Sequence, residues 1–135
     1  MFFFDLGSRL RPLYFKMPRS EVRELLGGEF EEFYKTEFSK VSTDAYDEYS
    51  AHFFYSEDGG LKGVEFFEGA PLHLNGDEVI GRPFSEIEAK FNKAGILLSK
   101  TQYFYESSCG VRVCVSNKSN IESMYFDMGR FSRLN

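Results

Sequence analysis

Two cysteines and two histidines are the side chains best suited to nucleophilic chemistry. Cys109 and Cys114 lie in the segment SCGVRVCVS, and the histidines are His52 and His73. A thiolate next to an imidazole is an effective nucleophile. If the segment is a strand that lies beside the strand of His52, alternation places Cys114 and His52 on one face, where a contact is possible. We favour packed thiols and a surface imidazole, because no GxSxG, HExxH, P-loop or GxGxxG motif accompanies them.

The same four side chains do not predict a zinc site or a disulfide. A C-x4-C pair with only two distant histidines is poor zinc spacing. Within one strand the two cysteines point to opposite faces and cannot bridge each other. We therefore expect free thiols, which suit a reducing compartment, and we expect neither a metal nor a cofactor.

A group of carboxylates near the middle of the chain is a second candidate for chemistry. Its members are Glu29, Glu31, Glu32, Asp44, Asp47 and Glu48. A calcium loop needs oxygen ligands at set spacing around a turning glycine, and the segment STDAYDEYS lacks that glycine. A solvated acidic surface is the favoured interpretation, and attraction of a basic protein domain is the alternative.

The segments that position these residues occur twice in the chain, in similar form. The segment PRSEVRELL (18–26) aligns with PFSEIEAKF (83–91), and AHFFYSEDGGLKGVEFFEG (51–69) aligns with VRVCVSNKSNIESMYFDMG (111–129) without a gap. The sequence therefore predicts two repeats, at about 13–69 and about 79–129.

Each copy begins with a short, one-sided helix. A proline lies near the first turn, an acidic residue follows early, and Gly27 with Gly28 ends the first helix. The apolar stripes are Val22, Leu25 and Leu26 in the first copy and Phe84, Ile87 and Phe91 in the second.

The rest of each copy is predicted to be β-structure. The spacers SEDGG and SNKSN separate alternating runs and predict one hairpin per copy, preceded by strands at 29–38 and 97–106. A shorter strand at 71–75 links the copies. We expect a single α+β domain, 1–135, in which two tandem helix-plus-antiparallel-strand repeats form a largely antiparallel sheet with short helices on one face. The predicted core positions are Ala51, Phe53, Tyr55, Val111, Val113 and Val115.

The opposite face of the sheet is the predicted binding surface. If Val64 and Phe66 face the core, then Glu65 and Phe67 face away. His52, Phe54, Arg112 and Tyr125 join them, and an aromatic face rimmed by charge is typical of a protein interface. Cover by loops or by a second protomer is the alternative. The predicted partner-binding residues are Phe54, Phe67, Tyr125, Glu65, Asp44, Asp47 and Glu48.

Composition restricts the partners. Sixteen basic and twenty-one acidic residues give a net charge of −5, which argues against nucleic acid and favours a basic protein partner. The start MFFFDLGSRLRPLYFKM lacks the basic and long apolar regions of a signal peptide, since Asp5 interrupts the apolar run. No window reaches the length of a membrane span, so we expect a cytoplasmic protein.

The helix signature carries a family resemblance. MPRSEVRELLG (17–27), RPFSEIEAKFN (82–92) and the hairpins that follow resemble the fold shared by the SmpA/OmlA (BamE) family and the β-lactamase inhibitor protein. The tandem arrangement resembles the inhibitor protein and implies that the sheet holds a partner. Secreted members carry signal peptides and the lipoproteins carry a lipidated cysteine. This sequence shows neither, which argues against an envelope role.

A longer segment carries a second resemblance. FSKVSTDAYDEYSAHFFYSEDGGLKGVEFFEGAPLHLNGDEVIGRPFSEIE looks like small bacterial immunity proteins found beside polymorphic toxins. That likeness implies a cytoplasmic protein without catalytic activity, which neutralises one cognate toxin by occluding it. The alternative is a structural or assembly module that binds itself, as a homodimer, or another housekeeping protein.

Overall fold

The computed structural model describes residues 1–6 and 9–132 of the chain. This part of the protein is mixed α+β, with three short α-helices and twelve strands in sheets that are mainly antiparallel. None of the described helices has the length and apolar character needed to cross a lipid bilayer. The helices are α1 (Arg19–Leu26), α2 (Phe84–Lys93) and α3 (Met128–Ser132), and a short 3-10 helix covers Asp47–Tyr49.

The strands form one large and one small sheet. In chain order they are β1 (Phe2–Asp5), β2 (Arg9–Arg11), β3 (Glu31–Phe33), β4 (Thr43–Tyr46), β5 (Ala51–Tyr55), β6 (Leu61–Phe66), β7 (Leu72–Leu74), β8 (Asp77–Glu78), β9 (Leu98–Lys100), β10 (Tyr105–Ser107), β11 (Val111–Val115) and β12 (Ile121–Asp127). The large sheet has the order β3-β4-β5-β6-β12-β11-β10-β9, and the small sheet has the order β2-β1-β7-β8.

The boundaries of α1 and α2 agree with the signals in the sequence, whereas α3 was not predicted. Helix α1 starts directly after Pro18 and ends at Leu26, where Gly27 adopts a φ of +60° that favours glycine. Val22 and Leu26 are buried as predicted, whereas Leu25 is 46% exposed. The stripe of α1 is therefore narrower than its apolar sequence indicates, and the stripe of α2 is buried in full.

The core lies between the large sheet and the elements that cover one of its faces, here called the inner face. The predicted core positions of β5 and β11 are buried there, although Val115 is only half-buried. Small-sheet residues complete the core, since the Phe2 ring lies 5.1 Å from Phe66 and the Phe4 ring lies 5.2 Å from Phe126. These aromatic contacts add to the burial of apolar area that stabilises the fold.

The small sheet was not predicted. The expected link strand at 71–75 exists as β7, but it pairs in parallel with β1 at the amino terminus. Phe2 and Phe4 of β1 and Leu72 and Leu74 of β7 are buried, so the small sheet forms the second layer over the core. The sequence run FFFD alone does not reveal this partner, because the pairing joins segments seventy residues apart.

The predicted strands at 29–38 and 97–106 were too long. The first range holds only β3, which a loop connects to β4, and a loop divides the second range into β9 and β10. The pairs β3–β4 and β9–β10 form short hairpins at the two edges of the large sheet. Threonine side chains hold both loops: Thr36 Oγ1 accepts from the backbone N–H of Phe38, and Thr101 Oγ1 donates to the carbonyl oxygen of Phe104. Such local bonds compete with strand pairing.

A buried ion pair attaches α1 to the edge of the large sheet. Asp44 in β4 is fully buried and accepts from Arg19 Nη2 at 2.6 Å and from Arg23 Nε at 2.9 Å. Arg23 also pairs with Glu32 at 2.9 Å, and Ser42 Oγ accepts from Arg19 at 2.9 Å. The two arginines thus satisfy a carboxylate that burial alone would make costly.

The protonation of Asp44 reflects this balance. Burial by itself raises the pKa of Asp44, but the hydrogen bonds from Arg23 and Arg19 outweigh it and hold that pKa below its usual value. Because the pKa is lower in the folded state, the contribution of Asp44 to stability is complete above the unfolded-state pKa of about 4. It is lost as the pH falls through the folded-state pKa.

We predict that Asp44→Ala lowers the free energy of unfolding by roughly 3 kcal/mol, because it leaves two arginines without their buried partner. Urea denaturation at pH 7 measures this loss. The exposed residue Asp47, three positions along the chain, supplies the control: Asp47→Ala should change stability by less than about 0.5 kcal/mol.

The pH dependence provides an independent check on the same ion pair. The stability difference between the wild type and Asp44→Asn should shrink as the pH is lowered below about 4, since the carboxyl then takes up a proton in the unfolded chain before it does so in the folded protein. A difference that stays constant from pH 7 down to the acid transition would show that charge on Asp44 does not stabilise the fold.

Candidate functional site

The outer face of the large sheet, opposite the helices, brings polar and aromatic side chains into one line. A single cross-strand row traverses all eight strands of this sheet. In strand order it consists of Glu31, Ala45, His52, Glu65, Tyr125, Arg112, Glu106 and Ser99. Side chains directly opposite each other on neighbouring strands are in contact range, so the row is a continuous surface.

His52 lies among aromatic rings. Its imidazole centroid is 4.7 Å from the ring of Phe67, 5.2 Å from Phe33 and 6.5 Å from Phe54. Burial among these rings lowers the pKa of His52, which the nearby charge of Asp47 opposes. The imidazole is therefore neutral at pH 7 and supplies no positive charge to its neighbours.

Glu65 occupies the centre of the outer face. It is half-buried, and within the described residues its carboxylate has no hydrogen bond and no ion pair. Burial raises the pKa of Glu65, and the charge of Lys35 opposes this shift. The carboxylate is thus partly desolvated without a direct partner, which costs folding free energy.

Tyr125 lies on the other side of Glu65, over the backbone of Gly63. A Cβ atom at position 63 would collide with the Tyr125 hydroxyl oxygen and lie 2.9 Å from its Cζ atom. The Tyr125 ring is 5.9 Å from that of Phe54, and burial raises the pKa of Tyr125. Glycine at 63 therefore allows the tyrosine to lie across β6 beside Glu65.

Arg112 continues the row and is already engaged. Its guanidinium lies 5.1 Å from the ring centroid of Phe104 and 5.5 Å from that of Tyr125, and its Nε atom pairs with Glu106 at 3.4 Å. Arg112 thus pairs with Glu106 rather than with Glu65, and cation–π contacts on Phe104 and Tyr125 hold it between the two.

Four of the seven predicted partner-binding residues lie on the outer face, and one of the four is nearly covered. Glu65, Phe67 and Tyr125 are half-buried and reachable from solvent. Phe54 points to the same face but is only 9% exposed, and the Lys35 ammonium lies 5.1 Å from its ring centroid. The loop between β3 and β4 therefore partly covers Phe54.

Asp44 requires a correction, because it was expected on the acidic surface and is fully buried against α1. Strand parity explains the difference: Asp44 pairs with Phe53 of β5, so it faces inward. Asp47 and Glu48 are exposed on the 3-10 helix, and with Glu29 they line an open groove of about 720 Å³ beside the His52 end of the row.

The cysteine predictions are corrected in part. Both thiols are free, with Cys109 buried and Cys114 half-buried. Cys109 lies in the turn before β11 rather than in a strand, 3.1 Å from Ser107 Oγ. Cys114 and His52 are not neighbours, because β6 and β12 separate β11 from β5 by three strand spacings, or about 14 Å.

Among the described residues, no three His, Cys, Asp or Glu side chains are grouped so that they could hold a metal ion. The outer face presents the half-buried carboxylate of Glu65 among aromatic rings, beside a neutral His52 and an Arg112 that is paired with Glu106. Such an arrangement is suited to binding.

Sequence reasoning missed three residues of this site. Lys35 and Phe104 lie in loops that were predicted to be strands, so their position over the outer face was not foreseen. Gly63 did carry a signal, since a glycine inside a strand run often marks close approach of another group.

We predict that Glu65→Gln stabilises the protein at pH 7 by no more than about 1 kcal/mol, because it removes a partly desolvated charge that solvent still screens. Folding raises the pKa of Glu65. The stability gain of Glu65→Gln over the wild type should therefore shrink as the pH falls through that pKa, because the wild-type carboxylate then takes up a proton. Thermal denaturation of both proteins over a series of pH values measures this difference in stability.

The exposed neighbour Glu68 supplies the matched control. Glu68→Gln should leave the melting temperature within experimental error at every pH. If Glu65→Gln instead lowers the melting temperature at pH 7, then the carboxylate is stabilising and our description of it is wrong.

Comparison with known proteins identifies no family for this chain. No family model matches the chain, and neither a curated protein nor a solved structure matches it.

Proposed function

We propose that this protein is a binding protein without catalytic activity, which holds a protein partner against the outer face of its large sheet. The observation that carries the proposal is the row through His52, Glu65 and Tyr125. These side chains are half-buried, aromatic or charged, and they are not used by the core. Such a face is costly to keep in a free protein and becomes favourable when a partner covers it.

The edges of the outer face support the same proposal. The loop of the β3–β4 hairpin carries Phe38, which is 83% exposed, and the loop of the β9–β10 hairpin carries Tyr103, which is 79% exposed. Large aromatic side chains at the two edges would extend the contact area beyond the central strands. Aromatic residues are enriched in the cores of protein interfaces.

We propose as the partner a bacterial toxin domain that the protein occludes in the cytoplasm. Support comes from the resemblance to small immunity proteins and from charge: the protein carries a net charge of −5, and Asp47 and Glu48 are exposed beside the His52 end of the row. Opposite charge on the toxin would speed the encounter and help to select this partner.

We further propose that the fold is a tandem repeat. Pairing β6 with β12 would then join the two copies edge to edge, with the helices α1 and α2 in equivalent positions. Backbone hydrogen bonds related by sixty positions support this: they run from Ser56 to Gly60 and from Ser116 to Asn120, from Phe67 to Ser50 and from Asp127 to Gly110, and from Gly59 to Ser56 and from Ser119 to Ser116.

A self-assembling module is the second candidate, favoured by the exposed aromatic residues at both edges of the outer face. In that case a second copy of the chain covers the row. Light scattering distinguishes the two: a stable homodimer that Tyr125→Ala dissociates would favour self-assembly, and a monomer would favour a heterologous partner.

The proposed function is tested by expressing the tagged protein with the product of the neighbouring reading frame, then measuring the complex by isothermal titration. We predict a one-to-one complex that restores growth. Phe67→Ala and Tyr125→Ala should each weaken it by about 2 kcal/mol, or roughly thirtyfold, as expected for interface hot spots.

Tyr14→Ala is the matched control. Tyr14 is an exposed tyrosine that donates a hydrogen bond to Glu21 on α1, away from the outer face. This variant should bind like the wild type. Wild-type affinity in both Phe67→Ala and Tyr125→Ala would exclude the outer face as the binding surface.

A further inference from the structure

The half-buried carboxylate of Glu65 is enclosed by aromatic rings. Its cross-strand neighbours are His52 on β5 and Tyr125 on β12. Along its own strand, Gly63 leaves room for the Tyr125 ring, and Phe67 follows on the same face. Phe54 closes the group, with its centroid 5.9 Å from that of Tyr125.

Among the described residues no cation is paired with Glu65, although the Arg112 guanidinium lies 5.5 Å from the Tyr125 centroid. His52 is neutral at pH 7, and Arg112 is paired with Glu106 at 3.4 Å. Lys35 is the positive group that acts on Glu65 from the remaining side, yet it forms no ion pair with it. Its ammonium instead lies 5.1 Å from the Phe54 centroid, at the rim of the enclosure, on an exposed loop.

We propose that Glu65 and the rings of His52, Phe54, Phe67 and Tyr125 form a niche for a lysine or arginine side chain of the protein partner, and that Lys35 stands in for that side chain in the free protein. The inference rests on the proposed function and names the chemistry of its contact. Aromatic faces attract alkylammonium and guanidinium groups, and a carboxylate that is partly desolvated gains most from a direct cation.

Lys35 shows that a cation is already favourable at this position. The partner's side chain would displace Lys35 from Phe54 and reach the carboxylate that Lys35 does not contact. Removing Lys35 should therefore strengthen binding of an added cation, because it removes an internal competitor. Removing the charge of Glu65 should weaken it.

The test uses the whole protein and three small probes: N-acetyl-arginine amide, N-acetyl-lysine amide and the uncharged N-acetyl-citrulline amide. Binding is followed by the NMR shifts of the Phe54, Phe67 and Tyr125 rings. We expect the two cationic probes to shift these resonances with dissociation constants in the millimolar range, and citrulline amide to shift them much less.

The variants make the test specific. Lys35→Ala should tighten binding of the cationic probes by about threefold, and Glu65→Gln should weaken it by about tenfold. Lys40→Ala is the matched control, because Lys40 lies on the same loop and pairs with Glu57 instead. This variant should bind the probes like the wild type.

The outcomes separate this inference from the proposed function. Absence of ring shifts at about 20 mM cationic probe, or equal shifts with citrulline amide, overturns the niche even if Tyr125→Ala still weakens a toxin complex. An unchanged affinity in Lys35→Ala overturns the role of Lys35. Specific probe binding that Glu65→Gln abolishes supports the niche whether or not a toxin partner is found.

Discussion

Residues 124–127 of β12 pair with residues 63–66 of β6, and this one antiparallel contact fixes the rest of the large sheet. It sets Tyr125 beside Glu65, and therefore determines which side chains share the outer face across the two halves of the chain. The same register turns Met124 and Phe126 inward with Phe66, where all three are fully buried. A shift by one residue would exchange the two faces, so burial of this core also preserves the candidate site.

The two halves attach their helices to the sheet by different physical means. In the first half, Arg19 of α1 pairs with the buried Asp44 of β4, which lies opposite Phe53 of β5. In the second half, Phe84 of α2 stacks on Tyr105 of β10 with 4.2 Å between the ring centroids, and Tyr105 lies opposite Val113 of β11. An ion pair thus attaches α1 to the large sheet, and an aromatic stack attaches α2. Only the ion pair weakens at acidic pH.

Local signals in the sequence were sufficient for α1, α2 and the central hairpins, but not for α3 or the short 3-10 helix. Pro18 and Gly27 mark the ends of α1, and the alternation of β5 and β11 identifies the inner face. Contacts between distant segments were not predictable: the pairing of β1 with β7 and the burial of Asp44 under α1 depend on the assembled fold. The alternation of side chains along each strand was enough to predict the outer face. The contact of Lys35 with Phe54 joins distant segments and was therefore not predicted.

The central claim is that a partner covers the outer face, and hydroxyl-radical footprinting of the complex with the neighbouring gene product tests it most directly. The side chains of Phe67 and Tyr125 are reachable in the free protein, as is Tyr14 beside α1. The account predicts that binding protects Phe67 and Tyr125 from oxidation and leaves Tyr14 unchanged. Protection of Tyr14 with no change at Phe67 and Tyr125 would contradict it.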